Sequence, residues 1–123
     1  MAKQKILIID DEVMLARLTA KRLSSVGFEV TCCTDFKNII TLVQTTMPDL
    51  VLLDIMLPGT SGYDVLAKIR SNKKLCNIPI IFFTAMSDKE NKQIQLANDY
   101  VQKPYQPNDL INTIKKALSI CKE

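Results

Sequence analysis

Five short apolar runs, each followed by a polar stretch carrying helical spacing, constrain this chain more than any other feature. The runs are Ile6–Ile9, Phe28–Cys32, Leu50–Leu53, Ile80–Phe83 and a weaker Tyr100–Val101. Their apolarity is continuous rather than alternating. That pattern marks strands covered on both faces, as in a parallel sheet.

Between the runs the period changes. Phe36, Ile39, Ile40 and Val43 follow the i, i+3, i+4, i+7 spacing of one helix face. Ile111, Ile114, Leu118 and Cys121 repeat it, with Pro107 suited to a first helical turn. Leu15 and Leu18 open another helix that reaches Leu23 and Val26 and stops at Gly27. Leu66 and Ile69 anchor a shorter one after Gly62. Ser87-Asp88-Lys89-Glu90 reads as a capping box, yet only Ile94, Leu96 and Ala97 follow it, which predicts a fourth helix of about two turns. The repeated βα unit predicts one α/β domain over 1–123, a doubly wound five-stranded parallel sheet with helices on both faces.

Composition narrows the chemistry. The chain has no histidine, which excludes a histidine general base, Ser-His-Asp and Cys-His pairs, and imidazole zinc sites. Any chemistry near neutral pH must use carboxylates, lysine, hydroxyls, thiols or a metal. The four cysteines, Cys32, Cys33, Cys76 and Cys121, show no zinc-like spacing and read as reduced packing or surface thiols, with redox sensing as the lesser alternative. The net charge of +3 is mild, and the densest pairs, Lys73-Lys74 and Lys115-Lys116, read as solvated surface rather than a nucleic-acid stripe. No apolar run approaches the roughly 18 residues of a membrane span, and no signal-peptide core follows Met1. The expectation is a cytoplasmic protein with no membrane contact and no direct nucleic-acid binding.

In sheets of this kind, ligands bind beyond the carboxyl ends of the strands, where the strand order reverses. Asp10-Asp11-Glu12 ends the first strand, Asp54 the third and Thr84 the fourth, and Lys103 follows the fifth. Taken singly, each has an ordinary reading: Asp10 or Asp11 as a helix cap, Thr84 as a β-former, Lys103 as loop chemistry before Pro104. Taken together they place carboxylates, a hydroxyl and an ammonium in one crevice. Crowded carboxylates attract a hard divalent cation, and cation plus ammonium suit an incoming phosphoryl group.

Ile6–Glu12, Pro48–Gly59 (PDLVLLDIMLPG), Ile80–Ala85 (IIFFTA) and Asp99–Tyr105 (DYVQKPY) resemble, in order, the signature segments of two-component response-regulator receiver domains. The resemblance covers essentially the whole chain. It implies strand order 2-1-3-4-5 and a signalling domain rather than an enzyme, catalysing only its own phosphorylation and dephosphorylation. By resemblance, Asp54 is the phosphoacceptor and takes its phosphoryl group from a sensor histidine kinase or histidine phosphotransfer protein. Asp11 is the direct Mg²⁺ ligand, Asp10 acts through a metal-bound water, and Asp54 and the backbone carbonyl of Met56 complete the set; Mn²⁺ can substitute. Thr84 is the switch hydroxyl, Lys103 pairs with the phosphoryl oxygens, and Tyr100 swings inward as Thr84 moves. A half-buried strand aromatic is the alternative for Tyr100.

Two features depart from the family pattern. Thr84 and Lys103 are only 19 positions apart, about one helical turn short, and Leu96-Ala97 stands where a Gly-Ala pair is usual. Both fall on the surface many receivers use for dimerisation or output, so output is left open: a downstream protein or a tethered output domain, with the receiver a monomer or, once phosphorylated, a dimer. Met56 and Met86 each stand two residues beyond a site residue, and the resemblance places both at the mouth of the site. Apolar side chains there would hinder the hydrolytic water, so the expectation is an aspartyl phosphate that lasts minutes or more.

Three rivals remain. A phosphatase with an aspartyl nucleophile wants a second acid two residues on, where Met56 stands. A flavodoxin-like carrier wants a Ser/Thr/Gly-rich cradle after the first strand, where Asp10-Asp11-Glu12 stands. A phosphorylation-independent scaffold would have no use for the full set of site residues. No output domain follows the last helix in this sequence, so the chain reads as a stand-alone receiver or one cut from a longer regulator.

Overall fold

The structure, a computed structural model, describes residues 3–85 and 92–121, with side chains as far as residue 119. In chain order the elements are β1 (Lys5–Ile9), α1 (Val13–Ser25), β2 (Glu29–Cys32), α2 (Ile39–Thr46), β3 (Leu50–Leu53), β4 (Met56–Leu57), β5 (Thr60–Ser61), α3 (Gly62–Arg70), β6 (Ile80–Thr84), a 3₁₀ helix (Lys92–Leu96), β7 (Asp99–Gln102) and α4 (Pro107–Cys121). The five longer strands form one sheet in the order β2-β1-β3-β6-β7, with every pairing parallel. Counted along those five, this is the expected 2-1-3-4-5. From β1 the chain goes out to one side for β2 and to the other for β3, so the order reverses between β1 and β3.

The continuous apolar runs are explained by the two layers they separate. Leu7, Ile9, Val51, Leu53, Ile80 and Phe82 pack with Ile39 and Val43 of α2 and Val65, Leu66 and Ile69 of α3. Their alternates, Ile6, Ile8, Leu50, Leu52, Ile81 and Phe83, pack with Ala16 and Leu23 of α1 and Leu110, Ile114, Ala117 and Leu118 of α4. Both faces of β1, β3 and β6 are therefore dry, and each such side chain contributes roughly 1.5–3 kcal/mol by burial. The outer strands β2 and β7 are half-exposed, which is why the fifth run reads weakly in the sequence.

Several elements differ from the periodicity. In α1 the buried residues are Ala16, Thr19 and Leu23, while Leu18 and Val26 are exposed, because only one stripe of the helix meets the sheet. Phe36 lies before α2. The Asp35 carboxylate accepts from Lys37 N at 3.1 Å and Asn38 Nδ2 at 2.8 Å, closing a turn that delays the helix to Ile39. The tight β4–β5 hairpin around Pro58–Gly59, with Gly59 at φ 74°, is too short to leave a periodic signal. The capping box Ser87–Glu90 lies outside the described residues. What is described of the fourth helix is the 3₁₀ turn, with Ile94 packed on the core and Leu96 exposed. No described helix is long and apolar enough to cross a membrane.

Candidate functional site

The sheet's hydrogen bonding brings the site together. Asp54 N donates to Ile9 O at 2.9 Å, tying the end of β3 to the end of β1, and Lys103 N donates to Thr84 O at 2.8 Å, tying β7 to β6. Four strand ends thus lie side by side. Among the described residues the buried polar side chains are Asp10, Asp54, Thr84, Lys103 and, in α1, Thr19. Four of those five stand just past or at a strand end. A surface cap or a loop lysine has no need of burial, so the ordinary readings of Asp10 and Lys103 do not account for their placement, whereas Thr84 sits at the end of its strand as a β-former also would.

Asp10 and Asp11 do not cap α1. Glu12 occupies the N-cap position and makes no side-chain cap bond. Instead, Asp10 Oδ1 accepts from Glu12 N at 2.9 Å, and Asp54 Oδ1 accepts from Ile55 N at 2.7 Å. These bonds aim the other carboxylate oxygens at the Lys103 ammonium, whose Nζ lies 2.6 Å from Asp10 Oδ2, 3.0 Å from Glu12 Oε1 and 3.2 Å from Asp54 Oδ2. The ring of Phe83 lies 4.9 Å from the same nitrogen. The Lys103–Pro104 peptide bond is cis.

One ammonium shared among three carboxylates leaves an excess of negative charge. Burial pushes the Asp10 carboxyl above its ordinary value, and the charge of Asp54 adds to that, against the pull of Lys103. Burial by itself would lower Lys103, but the bonds it donates to Asp10 and Glu12 and the nearby charge of Asp54 outweigh it, so its pKa is raised and the ammonium stays charged. Oxygens of Asp10, Glu12 and Asp54 lie within 4.8 Å of one another. An all-oxygen, partly buried donor set with surplus negative charge fits a hard divalent cation of the Mg²⁺ class.

The structure places the other predicted residues as follows. Asp11, expected as the direct metal ligand, is exposed and stands outside the group of three, in which Glu12 appears. Met56 is 65% exposed on β4 at the rim, its N 3.4 Å from Asp54 Oδ1. Thr84 is buried at the end of β6, and Tyr100 is half-buried on β7, paired in register with Phe82. Met86 lies outside the described residues.

Two contributors were not assigned roles from the sequence. Glu12 is one of three consecutive acids with nothing to single it out, and Gly62, which packs on the Asp54 main chain, carries no sequence signal beyond preceding a helix. Among the described thiols Cys33 is buried and Cys32 and Cys76 are half-buried, and burial raises Cys32 and Cys33 above the ordinary thiol range, the reverse of a redox sensor. The side chain of Cys121 lies outside the described residues.

Comparisons with known proteins agree with this geometry. The family model "Response regulator receiver domain" matches residues 6–115. The probable transcriptional regulator ycf27 of Cyanophora paradoxa is 40% identical over 119 residues, covering 94% of this chain and 48% of that protein. The DNA-binding response regulator MtrA of Mycolicibacterium smegmatis is 36% identical over 119 residues, covering 94% of this chain and 51% of that protein. The chain therefore spans about half the length of the curated relatives it matches. Among solved structures, the response regulator protein TrrA from Thermotoga maritima, in complex with Mg²⁺-BeF, superimposes with a TM-score of 0.84 at 31% identity, covering 93% of this chain and 98% of that one. With the parallel sheet, the acidic crevice at its reversal point and a family match over nearly its full length, this chain belongs to the response regulator receiver domains, the phosphoacceptors of two-component signalling.

Proposed function

We propose that this chain, acting as one unit over 1–123, takes a phosphoryl group onto Asp54 from the phosphohistidine of a sensor histidine kinase or histidine phosphotransfer protein. The observation that carries this reading is a buried carboxylate with an ammonium 3.2 Å away, in a pocket with surplus negative charge. A carboxylate oxygen of Asp54 attacks phosphorus in line. The O–P bond forms as the P–N bond to the donor imidazole breaks, and that nitrogen keeps the electron pair and takes a proton.

Asp10, Asp11, Asp54 and the Met56 carbonyl are the residues that would hold Mg²⁺, or Mn²⁺ in its place, with Glu12 at the same rim. When bound, the ion neutralises charge on the phosphoryl oxygens. Lys103 supplies the second positive charge, and the Thr84 hydroxyl donates a hydrogen bond to the transferred group. The acyl phosphate, carrying about −1.5 to −2 charge where the carboxylate carried −1, draws the Thr84 hydroxyl and the Lys103 ammonium onto its oxygens, and Tyr100 follows into the space Thr84 leaves. The β7 face and the 3₁₀ turn beside it then carry the signal.

The relatives named above as transcriptional and DNA-binding regulators extend for about twice this length, which favours a tethered output domain over a separate target. The proposed setting is cytoplasmic, with a monomer that dimerises, if at all, on phosphorylation. Incubation with acetyl phosphate and Mg²⁺ tests the central claim. Wild-type protein should gain one phosphoryl group and Asp54→Ala none; full labelling of Asp54→Ala would remove Asp54 from its role.

A further inference from the structure

We propose that Glu12 is a positioning residue that restrains Lys103 and so sets how readily the phosphorylated state forms. The inference rests on the phosphoacceptor reading of Asp54. An ammonium has three protons, and the three carboxylates around Lys103 use all of them. To pair with a phosphoryl oxygen on Asp54, Lys103 must release a partner.

The three partners are not equivalent. The Asp10 side chain is fully buried, at 2.6 Å, and abandoning it would leave an uncompensated charge away from water. Asp54 carries the incoming group and stays beside the ammonium. Glu12, at 3.0 Å, has a side chain 54% exposed and can be returned to water at little cost. It is the partner that leaves.

The surroundings suit that motion. The main chain of Glu12 is fixed on both sides, its N donating to Asp10 Oδ1 at 2.9 Å and its O accepting from Ala16 N at 2.9 Å. Only the side chain is left to turn. A cavity of about 350 Å³, lined by Glu12, Leu15, Arg22, Lys103, Pro104 and Tyr105, opens beside the ion pair and gives it room. Glu12 makes no helix-cap bond, so its side chain can be altered without removing a support of α1.

Glu12 therefore competes with the phosphoryl group for one ammonium. The contact, rather than negative charge in general, is what matters, and two variants separate these. Glu12→Ala removes both the charge and the acceptor; Glu12→Asp keeps the charge on a side chain one methylene shorter, which draws it back from Lys103. The probe is beryllium fluoride, a reversible phosphoryl mimic, titrated at saturating Mg²⁺ into the whole chain and followed by fluorine NMR. Mg²⁺ affinity and thermal melts are recorded for each variant.

Both variants should bind beryllium fluoride about three- to fivefold more tightly than wild type, the worth of an exposed ion pair. Unchanged affinity in Glu12→Ala overturns the proposal. So does tightening in Glu12→Ala alone, which would mean bulk charge rather than contact. If wild type itself fails to bind the mimic, the phosphoacceptor reading falls and this inference falls with it.

Discussion

Gly62 lies against the main chain of Asp54. A Cβ at Gly62 would press into the Asp54 carbonyl oxygen and stand 2.9 Å from Ile55 Cα. Gly62 N also donates to Ile55 O at 2.7 Å. The first turn of α3 therefore braces the segment that carries the candidate phosphoacceptor, and that segment is backbone, which cannot yield as a side-chain tip can. Gly62→Ala should cost roughly 1–3 kcal/mol in urea unfolding, as overpacking does. It should also slow Asp54 labelling by acetyl phosphate in protein that remains folded. Labelling at the wild-type rate would show that the brace has no bearing on the site.

Arg70 is the corresponding brace on the shortened side of the domain. Its Nε donates to Leu96 O at 2.9 Å, its Nη1 to Cys76 O at 3.0 Å and Ile78 O at 2.8 Å, and its Nη2 to Asn98 Oδ1 at 2.9 Å. Asn98 Oδ1 in turn accepts from Ile80 N. A planar fork can serve these acceptors at once; an ammonium on a flexible stem cannot. Arg70→Lys should cost about 1.5–3 kcal/mol, the range for hydrogen bonds to a charged group. Amide exchange at Ala97 and Asn98, the junction of the 3₁₀ turn and β7, should speed up more than exchange in β1. Equal protection at both places would show that Arg70 does not hold the turn.

The sheet was legible because its central strands are dry on both faces. Leu50–Leu53 and Ile80–Phe83 announce themselves by continuous apolarity, and a parallel sheet dictates that their carboxyl ends meet. Asp54, Thr84 and Lys103 follow from that rule once Leu53, Phe83 and the β7 run are found. Fine placement was not legible. Which member of Asp10-Asp11-Glu12 approaches Lys103 depends on side-chain direction just past a strand end, where neither strand nor helix period applies. Helix starts were displaced for a similar reason: the Asp35 turn competes with the helix through side-chain bonds that apolar spacing does not register.

That turn predicts a pH effect. The bond from Asn38 Nδ2, and then the one from Lys37 N, hold the Asp35 carboxyl below the usual carboxylate range. A depressed folded pKa adds stability that is present above the unfolded value of about 3.9 and lost as pH falls through the folded value. Asp35→Asn keeps an acceptor but removes the charge. Its urea midpoint should lie below that of wild type at pH 7, and the gap should narrow as pH falls below about 4. A gap that is constant from pH 7 to pH 3 would assign the difference to packing instead.

The lifetime of the phosphoryl group is expected to turn on Met56. Its side chain is 65% exposed at the rim of the site, two residues from Asp54, on a β4–β5 hairpin that Gly62 anchors through Ile55. Hydrolysis needs a water in line with the O–P bond, and a flexible thioether offers that water neither a donor nor a strong acceptor. Wild-type protein should therefore hold its aspartyl phosphate for minutes or more. Met56→Asn puts an amide at the same rim position, able to accept from the water and orient it. One well-placed hydrogen bond of about 0.5–1.5 kcal/mol corresponds to roughly two- to twelvefold faster loss of phosphate. Following release of labelled phosphate from both proteins after removal of the donor gives the answer directly. If wild type loses its phosphate as fast as Met56→Asn, the apolar rim does not protect the bond, and water must reach it by a path that Met56 does not border.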